Sequence, residues 1–348
     1  MLKNALDFEK PIAELDAEMV SIQAQLQDGG LEQWCRDHGR DYAAEFAKLD
    51  AGLQQLKRDR ERLMKDIFSK LTPWEKTQVA RHRDRPHTVD MIRLLCEDFL
   101  ELHGDRQYAD DAAILGGIAR IAGRDVLVLG HEKGRDLKEK VRRNYGSAKP
   151  EGYRKAVRLM KLAERARKPV VVFVDTSAAD SSLGSEERGI SEAIAKAMEE
   201  MAMLKTPTVV VVLGEGGSGG AIGLGVGDRI LMLEHAIYSV IPPEGCANIL
   251  WRDAAKADQA ADALKLTAQD ALRLGVIDEV LPEPLGGAHR SPELTALAVK
   301  DAVVAALDTL AELSCEDLLR ERYEKFRRMG QWSLPDAPLV ADGLTAVG

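Results

Sequence analysis

The sequence is poor in cysteine, and the few cysteines are far apart. Among 348 residues there are four, and no two of them form a C-x-x-C pair; they are Cys35, Cys96, Cys246 and Cys315. This spacing indicates neither a zinc-binding module nor a framework of disulfide bonds. We therefore expect a reduced, cytoplasmic protein with no metal ion of its own.

Long hydrophobic runs and an excess of positive charge are also missing. No stretch of about 18 apolar residues occurs, and Met1–Asp7 lacks the apolar core of a signal peptide, so neither a membrane span nor export is expected. The 57 acidic residues outnumber the 48 basic ones and give a net charge of −9. That balance argues against a protein that binds nucleic acid.

The chain does contain a change of pattern near residue 72. Residues 1–72 are polar with apolar residues at three- and four-residue steps, which predicts an arm of two amphipathic helices joined at Gly29-Gly30. Over 73–329, short apolar runs alternate with helical patterns, which predicts an α/β domain with a parallel sheet. Residues 330–348 are rich in Pro, Gly and Ala, and we expect a flexible tail there.

Several elements can be placed inside the α/β domain. The pattern over 89–102 predicts a helix, and apolar runs over 114–121 and 126–130 predict a β-hairpin. The run 170–174 is wholly apolar, as in a parallel strand buried on both faces, and 208–213 repeats that pattern. Between these two strands, the sequence predicts one helix from about Ser185 to Leu204.

The most distinctive segment, Gly214–Ala221, follows the second of these strands and contains five glycines in eight residues. With so few Cβ atoms, backbone N–H groups can approach a ligand closely, which favours an anion or an oxygen that becomes one. One interpretation is dinucleotide binding, since Gly214, Gly216 and Gly219 match G-x-G-x-x-G and Glu234 follows where a ribose-binding acid would lie. The helix would then have to fit before Gly227, which is short for this motif.

Two other chemistries fit the same glycine turn. Gly216 to Gly220 match the G-x-S-x-G elbow of serine hydrolases around Ser218, with Asp278 and His289 later in the chain. A small serine that fills a tight turn explains that match better, and we expect His289 on the surface or in a loop, with no carboxylate beside it. The third interpretation needs no side chain. The N–H groups of three consecutive residues would form an oxyanion hole: Gly219, Gly220 and Ala221.

Longer motifs give a resemblance to a known family. They are the segments 6–15, 104–106, 108–111, 116–120, 150–156, 186–189, 214–221, 238–241, 243–247 and 282–290. With them the chain resembles, over about residues 5–330, the α subunits of bacterial acetyl-coenzyme A carboxylase carboxyltransferase. The resemblance implies a crotonase-like spiral of ββα turns behind the N-terminal helical arm.

The resemblance also implies a reaction and partners. A carboxyl group would move from biotin, borne on a biotin carboxyl carrier protein, to acetyl-CoA, giving malonyl-CoA for fatty acid synthesis. The α subunit would act only with a zinc-containing β subunit, in a heterotetramer that works beside an ATP-dependent biotin carboxylase. In the family the backbone around Gly219, Gly220 and Ala221 would stabilise the oxyanion of biotin.

Two further groups of residues complete the predicted site. Biotin or substrate contacts are expected at Gly216, Gly217, Ala178, Ala179 and Gly184. A weaker prediction assigns contact with CoA or the carrier to residues of a basic run, which could equally be a solvated helix face: Lys133, Arg135, Arg142 and Arg143.

One loop departs from the family pattern. Where the family continues Pro-Gly-Ala-Tyr-Pro-Gly, residues 177–182 are Ser-Ala-Ala-Asp-Ser-Ser. Losing both prolines and both glycines should change the backbone path or its rigidity. Asp180 would also repel an anionic donor if it pointed inward. The alternatives are therefore a weakened or non-catalytic subunit, or a carboxyltransferase for another acyl-CoA.

Overall fold

The computed structural model describes residues 4–27 and 29–330. The strands of this part form one 8-stranded sheet in the order β1-β2-β3-β4-β5-β6-β8, with β7 paired to β5. The strands are β1 (Glu97–Glu101), β2 (Ile114–Ile121), β3 (Arg124–His131), β4 (Val170–Thr176), β5 (Thr208–Gly217), β6 (Arg229–Leu233), β7 (Ile237–Ser239) and β8 (Glu279–Leu281). The pairs β1·β2 and β2·β3 are antiparallel and the others parallel.

Helices cover the sheet and form the arm. They are α1 (Lys10–Gln27), α2 (Gly30–His38), α3 (Tyr42–Phe68), α4 (Pro73–Ala80), α5 (Thr88–Leu95), α6 (Leu137–Arg142), α7 (Pro150–Ala166), α8 (Leu183–Glu187), α9 (Ile190–Met203), α10 (Ser218–Ile222), α11 (Pro243–Trp251), α12 (Ala257–Leu264), α13 (Ala268–Arg273), α14 (Pro292–Ala311) and α15 (Cys315–Arg328). Short 3-10 turns lie at 7–9, 144–146 and 254–256. None of the described helices is both long and apolar enough to cross a membrane.

The core lies between the sheet and the helices that follow each strand. Every residue of β4 and β5 is buried, as expected for parallel strands covered on both faces. Helix α7 turns its apolar stripe towards the sheet, burying Ala156, Leu159, Met160 and Ala163 at three- and four-residue steps. This packing fixes the carboxyl ends of β4 and β5, where the candidate site lies.

Several sequence predictions needed correction. The helix predicted over 89–102 stops at Leu95, and β1 follows, because pairing with β2 satisfies its backbone groups at the sheet edge. The helix predicted over 185–204 is two helices, broken at Gly189, whose φ of +76° no right-handed helix accommodates. The arm has three helices rather than two, and β5 extends through the glycines to Gly217.

A buried ionic cluster fastens the start of the chain to the α/β part. One Glu9 carboxylate oxygen accepts from His289 Nε2 and from Arg290 Nε, each at 3.0 Å, and the other accepts from the Leu6 N–H. His289 thus lies in a loop, as one of the two expectations had it, but it is buried, and the expectation of no carboxylate beside it is wrong. A division between arm and domain at residue 72 stays a prediction, and nearly all of the predicted tail lies outside the described residues.

Candidate functional site

The glycine turn lies at the carboxyl end of β5, beside the carboxyl end of β4. The two strands are parallel and pair in one register from Val170 opposite Thr208 to Val174 opposite Val212; the register then shifts, and Thr176 lies opposite Gly216. Since the carboxyl ends of parallel strands meet at one edge of a sheet, the glycine turn and the loop after Thr176 form two walls of the same crevice. The sequence-predicted residues 178–179 and 216–221 are thereby brought together.

Close backbone approach explains two of the glycines. A Cβ added at Gly217 would overlap the carbonyl oxygen of Ser177. A Cβ added at Gly220 would lie 2.6 Å from the Ala178 carbonyl carbon and 2.7 Å from the Ala179 nitrogen. Because the obstructing atoms belong to backbone, neither position tolerates a side chain without moving the opposite wall.

The first turn of α10 supplies backbone donors at this edge. Helix α10 begins at Ser218, so the N–H groups of Ser218, Gly219 and Gly220 precede its first i→i−4 hydrogen bond. Ala221 is the fourth residue, and within the described residues its N–H makes no backbone hydrogen bond to the Gly217 carbonyl, the partner it would have in a regular helix. A role of Gly219, Gly220 and Ala221 as oxyanion donors stays a prediction.

The altered loop keeps its place through Asp180 rather than through proline. The Asp180 N–H donates to the Ala148 carbonyl at 2.9 Å. Its carboxylate accepts from Asn144 Nδ2 at 3.1 Å, from Ser182 Oγ at 2.6 Å and from Ser185 Oγ at 2.5 Å. Partial burial would raise the pKa of Asp180, but these three donors outweigh it and lower the pKa. The negative charge is therefore held by the loop's own neighbours.

Gly184 lies on α8, outside this close contact. An added Cβ there would meet Arg188 Nη1 at 3.1 Å rather than the glycine turn. A role for Gly184 in substrate binding stays a prediction.

A buried network of charges beneath the site was not foreseen. Lys133 Nζ lies 2.7 Å from Asp175 Oδ1 and 2.7 Å from Glu215 Oε2, and Arg81 Nε lies 2.7 Å from Glu215 Oε1. Burial alone would raise the pKa of Asp175 and Glu215, but Lys133 outweighs it at both, with Arg81 adding to the effect at Glu215, and both pKa values are lowered. The network therefore ties the ends of β4 and β5 together with paired charges.

The basic run makes contacts within the chain. Lys133 pairs with two carboxylates, and Arg135 donates to the carbonyls of residues 83 and 85 and to Asp90. Arg143 is buried and donates to the Ala112 carbonyl at 3.0 Å. Arg142 is exposed and forms no ion pair within the described residues. A contact of the four residues with CoA or the carrier stays a prediction.

The other interpretations of the glycine turn lose their supporting groups. Ser218 has the strained φ of +53° expected of a nucleophile elbow, but His289 is bonded to Glu9 and Asp278 to the Ile230 N–H and Lys325. For a dinucleotide, α10 is only 5 residues long, and Glu234 Oε2 accepts from the Glu283 N–H at 3.1 Å. Neither a Ser-His-Asp triad nor a free ribose-binding acid is assembled around the turn.

Comparison with known proteins gives one consistent result. The sequence model of the acetyl co-enzyme A carboxylase carboxyltransferase-like family matches residues 5–330. The chain is 49% identical over 328 residues to the acetyl-coenzyme A carboxylase carboxyl transferase subunit alpha of Geobacter metallireducens, covering 94% of this chain and 98% of that one. It is 50% identical over 327 residues to the protein of that name from Thioalkalivibrio sulfidiphilus, with the same coverage.

Solved structures with a similar fold are more distant in sequence. Transcarboxylase 12S superposes with a TM-score of 0.53 at 19% identity, covering 65% of this chain and 42% of that one. The β subunit of Pseudomonas aeruginosa geranyl-CoA carboxylase gives 0.53 at 16% identity, covering 71% and 46%. The chain spans less than half the length of these two structures, and the similarity shows the fold: it is crotonase-like, as the sequence predicted.

Proposed function

The chain belongs to the family of acetyl-coenzyme A carboxylase carboxyltransferase α subunits, and we propose that its glycine turn holds the carboxyl donor. Membership makes the chain a transferase component that moves a carboxyl group to an acyl-CoA. The finer assignment is ours: biotin on a carrier protein as donor, acetyl-CoA as acceptor and malonyl-CoA as product.

One observation carries the assignment of the site. The N–H groups of Gly219 and Gly220 precede the helical ladder of α10, and the backbone of residues 177–179 closes on them from β4. Donors of this kind are already in place when charge develops on a ureido oxygen, so they stabilise it with little reorganisation. Losing one such donor typically costs about 3 kcal/mol of activation free energy.

Other residues of the chain hold the two walls of the crevice in place. The Lys133 network holds the ends of β4 and β5 together, and Asp180 holds the opposite loop. No side chain of the crevice needs to act as a nucleophile, because the oxyanion is bound by backbone. Fixed positions matter here, since a misplacement of about 1 Å can cost on the order of 100-fold in rate.

The partners follow from the family. The names of the relatives as α subunits imply a β subunit. We infer that it holds CoA, that it carries the zinc site for which this chain has no cysteine pattern, and that two α and two β subunits assemble. Biotin carboxyl carrier protein and biotin carboxylase complete the ATP-dependent complex in this proposal.

The experiment combines the chain with the β subunit from the same source and follows malonyl-CoA-dependent carboxylation of free biotin. We expect activity only when both subunits are present. Gly220→Ala should lose at least about 100-fold, because its Cβ would push the Ala178 backbone away. Gly52→Ala in α3, whose Cβ would meet no atom within 4 Å, is the matched control and should be fully active.

Two further variants separate the alternatives. Ser218→Ala should retain activity, whereas loss of activity together with loss of an esterase activity would identify a serine hydrolase. Replacing residues 177–182 with the family pattern should not be needed for activity. A wild-type complex that is inactive until this replacement would identify a non-catalytic subunit instead.

A further inference from the structure

Helix α10 cannot be stable by itself. It has 5 residues, two of which are glycine, and Gly223 follows directly. Each glycine disfavours a helix by about 1 kcal/mol relative to alanine, and isolated helices of this length do not form in water. The donors at Gly219 and Gly220 are therefore held in place by contacts from elsewhere in the fold.

The Gly220 carbonyl shows where one such contact lies. The backbone hydrogen bonds at the end of α10 do not use the Gly220 carbonyl. The Gly223 N–H donates to the Gly219 carbonyl, and the Leu224 N–H donates to the Ala221 carbonyl. Within the described residues, the Gly220 carbonyl instead accepts from the hydroxyl of Tyr153 at 3.3 Å. Tyr153 is fully buried on α7, so its hydroxyl has no access to water.

The ring of Tyr153 also fixes the position of α10. A Cβ added at Gly223 would lie only 2.7 Å from Tyr153 Cε1, so the ring is packed directly against the helix end. His131 is a second buried group on this side. The carbonyl oxygens of Gly220 and Phe173 lie near its ring, although neither ring nitrogen reaches hydrogen-bonding geometry within the described residues.

We infer that Tyr153 is a positioning residue for the glycine turn: its hydroxyl anchors the Gly220 carbonyl and thereby aims the N–H groups of α10 at the substrate oxygen. This inference rests on the proposed function of that turn. The hydroxyl takes the place of the missing i→i+4 bond and fixes the plane of the Gly220–Ala221 peptide. A hydrogen bond into a carbonyl also strengthens the N–H donor of the same peptide unit, which here is the N–H of Ala221, one of the three predicted oxyanion donors.

The test is Tyr153→Phe, which removes the hydroxyl and keeps the ring. In the complex with the β subunit, we expect kcat for carboxyl transfer to fall about 10-fold, the equivalent of losing one hydrogen bond. KM for malonyl-CoA should stay unchanged, because CoA contacts are made elsewhere. Hydrogen exchange of the peptide covering residues 218–224 should be about 5- to 10-fold faster.

Tyr238→Phe is the matched control. Tyr238 also packs its ring against β5, but its hydroxyl bonds no group within the described residues. It should therefore leave kcat and the exchange of residues 218–224 unchanged. Equal losses in both variants, or wild-type exchange and kcat in Tyr153→Phe, would overturn the inference.

The exchange measurement keeps this inference separate from the proposed function. A wild-type complex without carboxyl transfer would contradict the proposed function, while faster exchange in Tyr153→Phe would still support the anchoring of α10. If Tyr153→Phe does not fold, Gly223→Ala displaces the same ring from the other side. It should give the same fall in kcat at unchanged KM, and wild-type values would overturn the inference.

Discussion

At the scale of single residues, most buried charges of this chain are paired. Arg85 and Glu283 are both almost fully buried and form an ion pair, and Arg322 pairs in the same way with Asp228. His131 differs from these residues: it is fully buried, and within the described residues neither of its ring nitrogens has a hydrogen-bond partner. Burial lowers the pKa of His131 to about 4, so the fold accepts only its neutral form near pH 7.

That lowered pKa predicts a specific pH dependence of stability. As pH falls below about 6.5, His131 of the unfolded chain becomes protonated, whereas His131 of the folded chain becomes protonated only near pH 4. Stability from this group is thus present above pH 6.5 and is lost as pH falls towards 4. Between pH 7 and pH 5, the free energy of unfolding should therefore fall by about 2 kcal/mol less in His131→Leu than in wild type.

Chemical denaturation at the two pH values measures this difference. Carboxylates with lowered pKa values, such as Glu132 and Glu283 at about 2, lose their contribution only below about pH 4.5 and do not interfere. His38→Gln on the exposed face of the arm is the control. Identical pH slopes for wild type and His131→Leu would contradict the prediction.

At the scale of elements, the sequence predicted best where the pattern is local. The hairpin strands and the apolar strands β4 and β5 were found within a few residues, because alternation and unbroken apolar runs depend on neighbours in the chain. Strand β1 was taken for helix, since only its pairing with β2 makes it extended. The glycines 214–217 were taken for turn, although β4 and β7 pair with them as strand.

The candidate site, too, could be predicted from the sequence only in part. The glycine turn and its facing loop could be located because each directly follows a strand. The contacts that make the site rigid could not, since Tyr153, His131, Lys133 and Asp180 meet their partners only after folding. Asp175 and Glu215 offered a partial signal, as single acids next to apolar or glycine-rich strand ends, but nothing in the sequence names Lys133 and Arg81 as their partners.

The loop 177–182 gives the prediction at this scale. Asp180→Ala leaves Asn144, Ser182 and Ser185 without their shared acceptor, so the wall facing Gly217 and Gly220 should loosen. We expect kcat for carboxyl transfer in the complex to fall about 10-fold with little change in the melting temperature. Asp180→Asn keeps one acceptor oxygen and should lie between wild type and Asp180→Ala.

Ser181→Ala, at an exposed position of the same loop, is the control and should be fully active. The contrary outcome is informative as well. A faster Asp180→Ala enzyme would mean that the charge repels the donor, and that the loop has been weakened by its departure from the family pattern.

At the scale of the whole molecule, the arm and the α/β part meet through apolar contacts and through an ionic cluster. Arg290 bonds both Glu9 and Asp16, and Asp16 also bonds Arg60 of α3. The ring of His82 packs at a tilt against that of His289 with centroids 4.1 Å apart, and His82 contacts Asn4 and Asp84 through its two ring nitrogens. Glu9, His82 and His289 lie close enough together to surround a cation, but His289 Nε2 and both nitrogens of His82 bond protein groups, and only His289 Nδ1 has no partner within the described residues. The cluster therefore links the arm to the α/β part of the chain.

Replacing Glu9 tests whether this ionic cluster holds the arm to the α/β part. Burial would raise the pKa of Glu9, but His289 and Arg290 outweigh it and lower it to about 2, so the carboxylate is charged throughout the neutral range. Glu9→Ala leaves Arg290 buried with one carboxylate fewer, and breaking a buried pair costs about 3–5 kcal/mol. We expect limited proteolysis to cleave within α1–α3 faster, while the sheet keeps its protection in hydrogen exchange. Asp7→Ala, which removes only the exposed Asp7–Lys10 pair, should behave as wild type. If both variants were cleaved at the same rate as wild type, the arm would be held to the α/β part by apolar contacts, chiefly those of Phe68 with His235 and of the cluster that includes Met64, Phe68 and Val79, and not by the charges around Glu9.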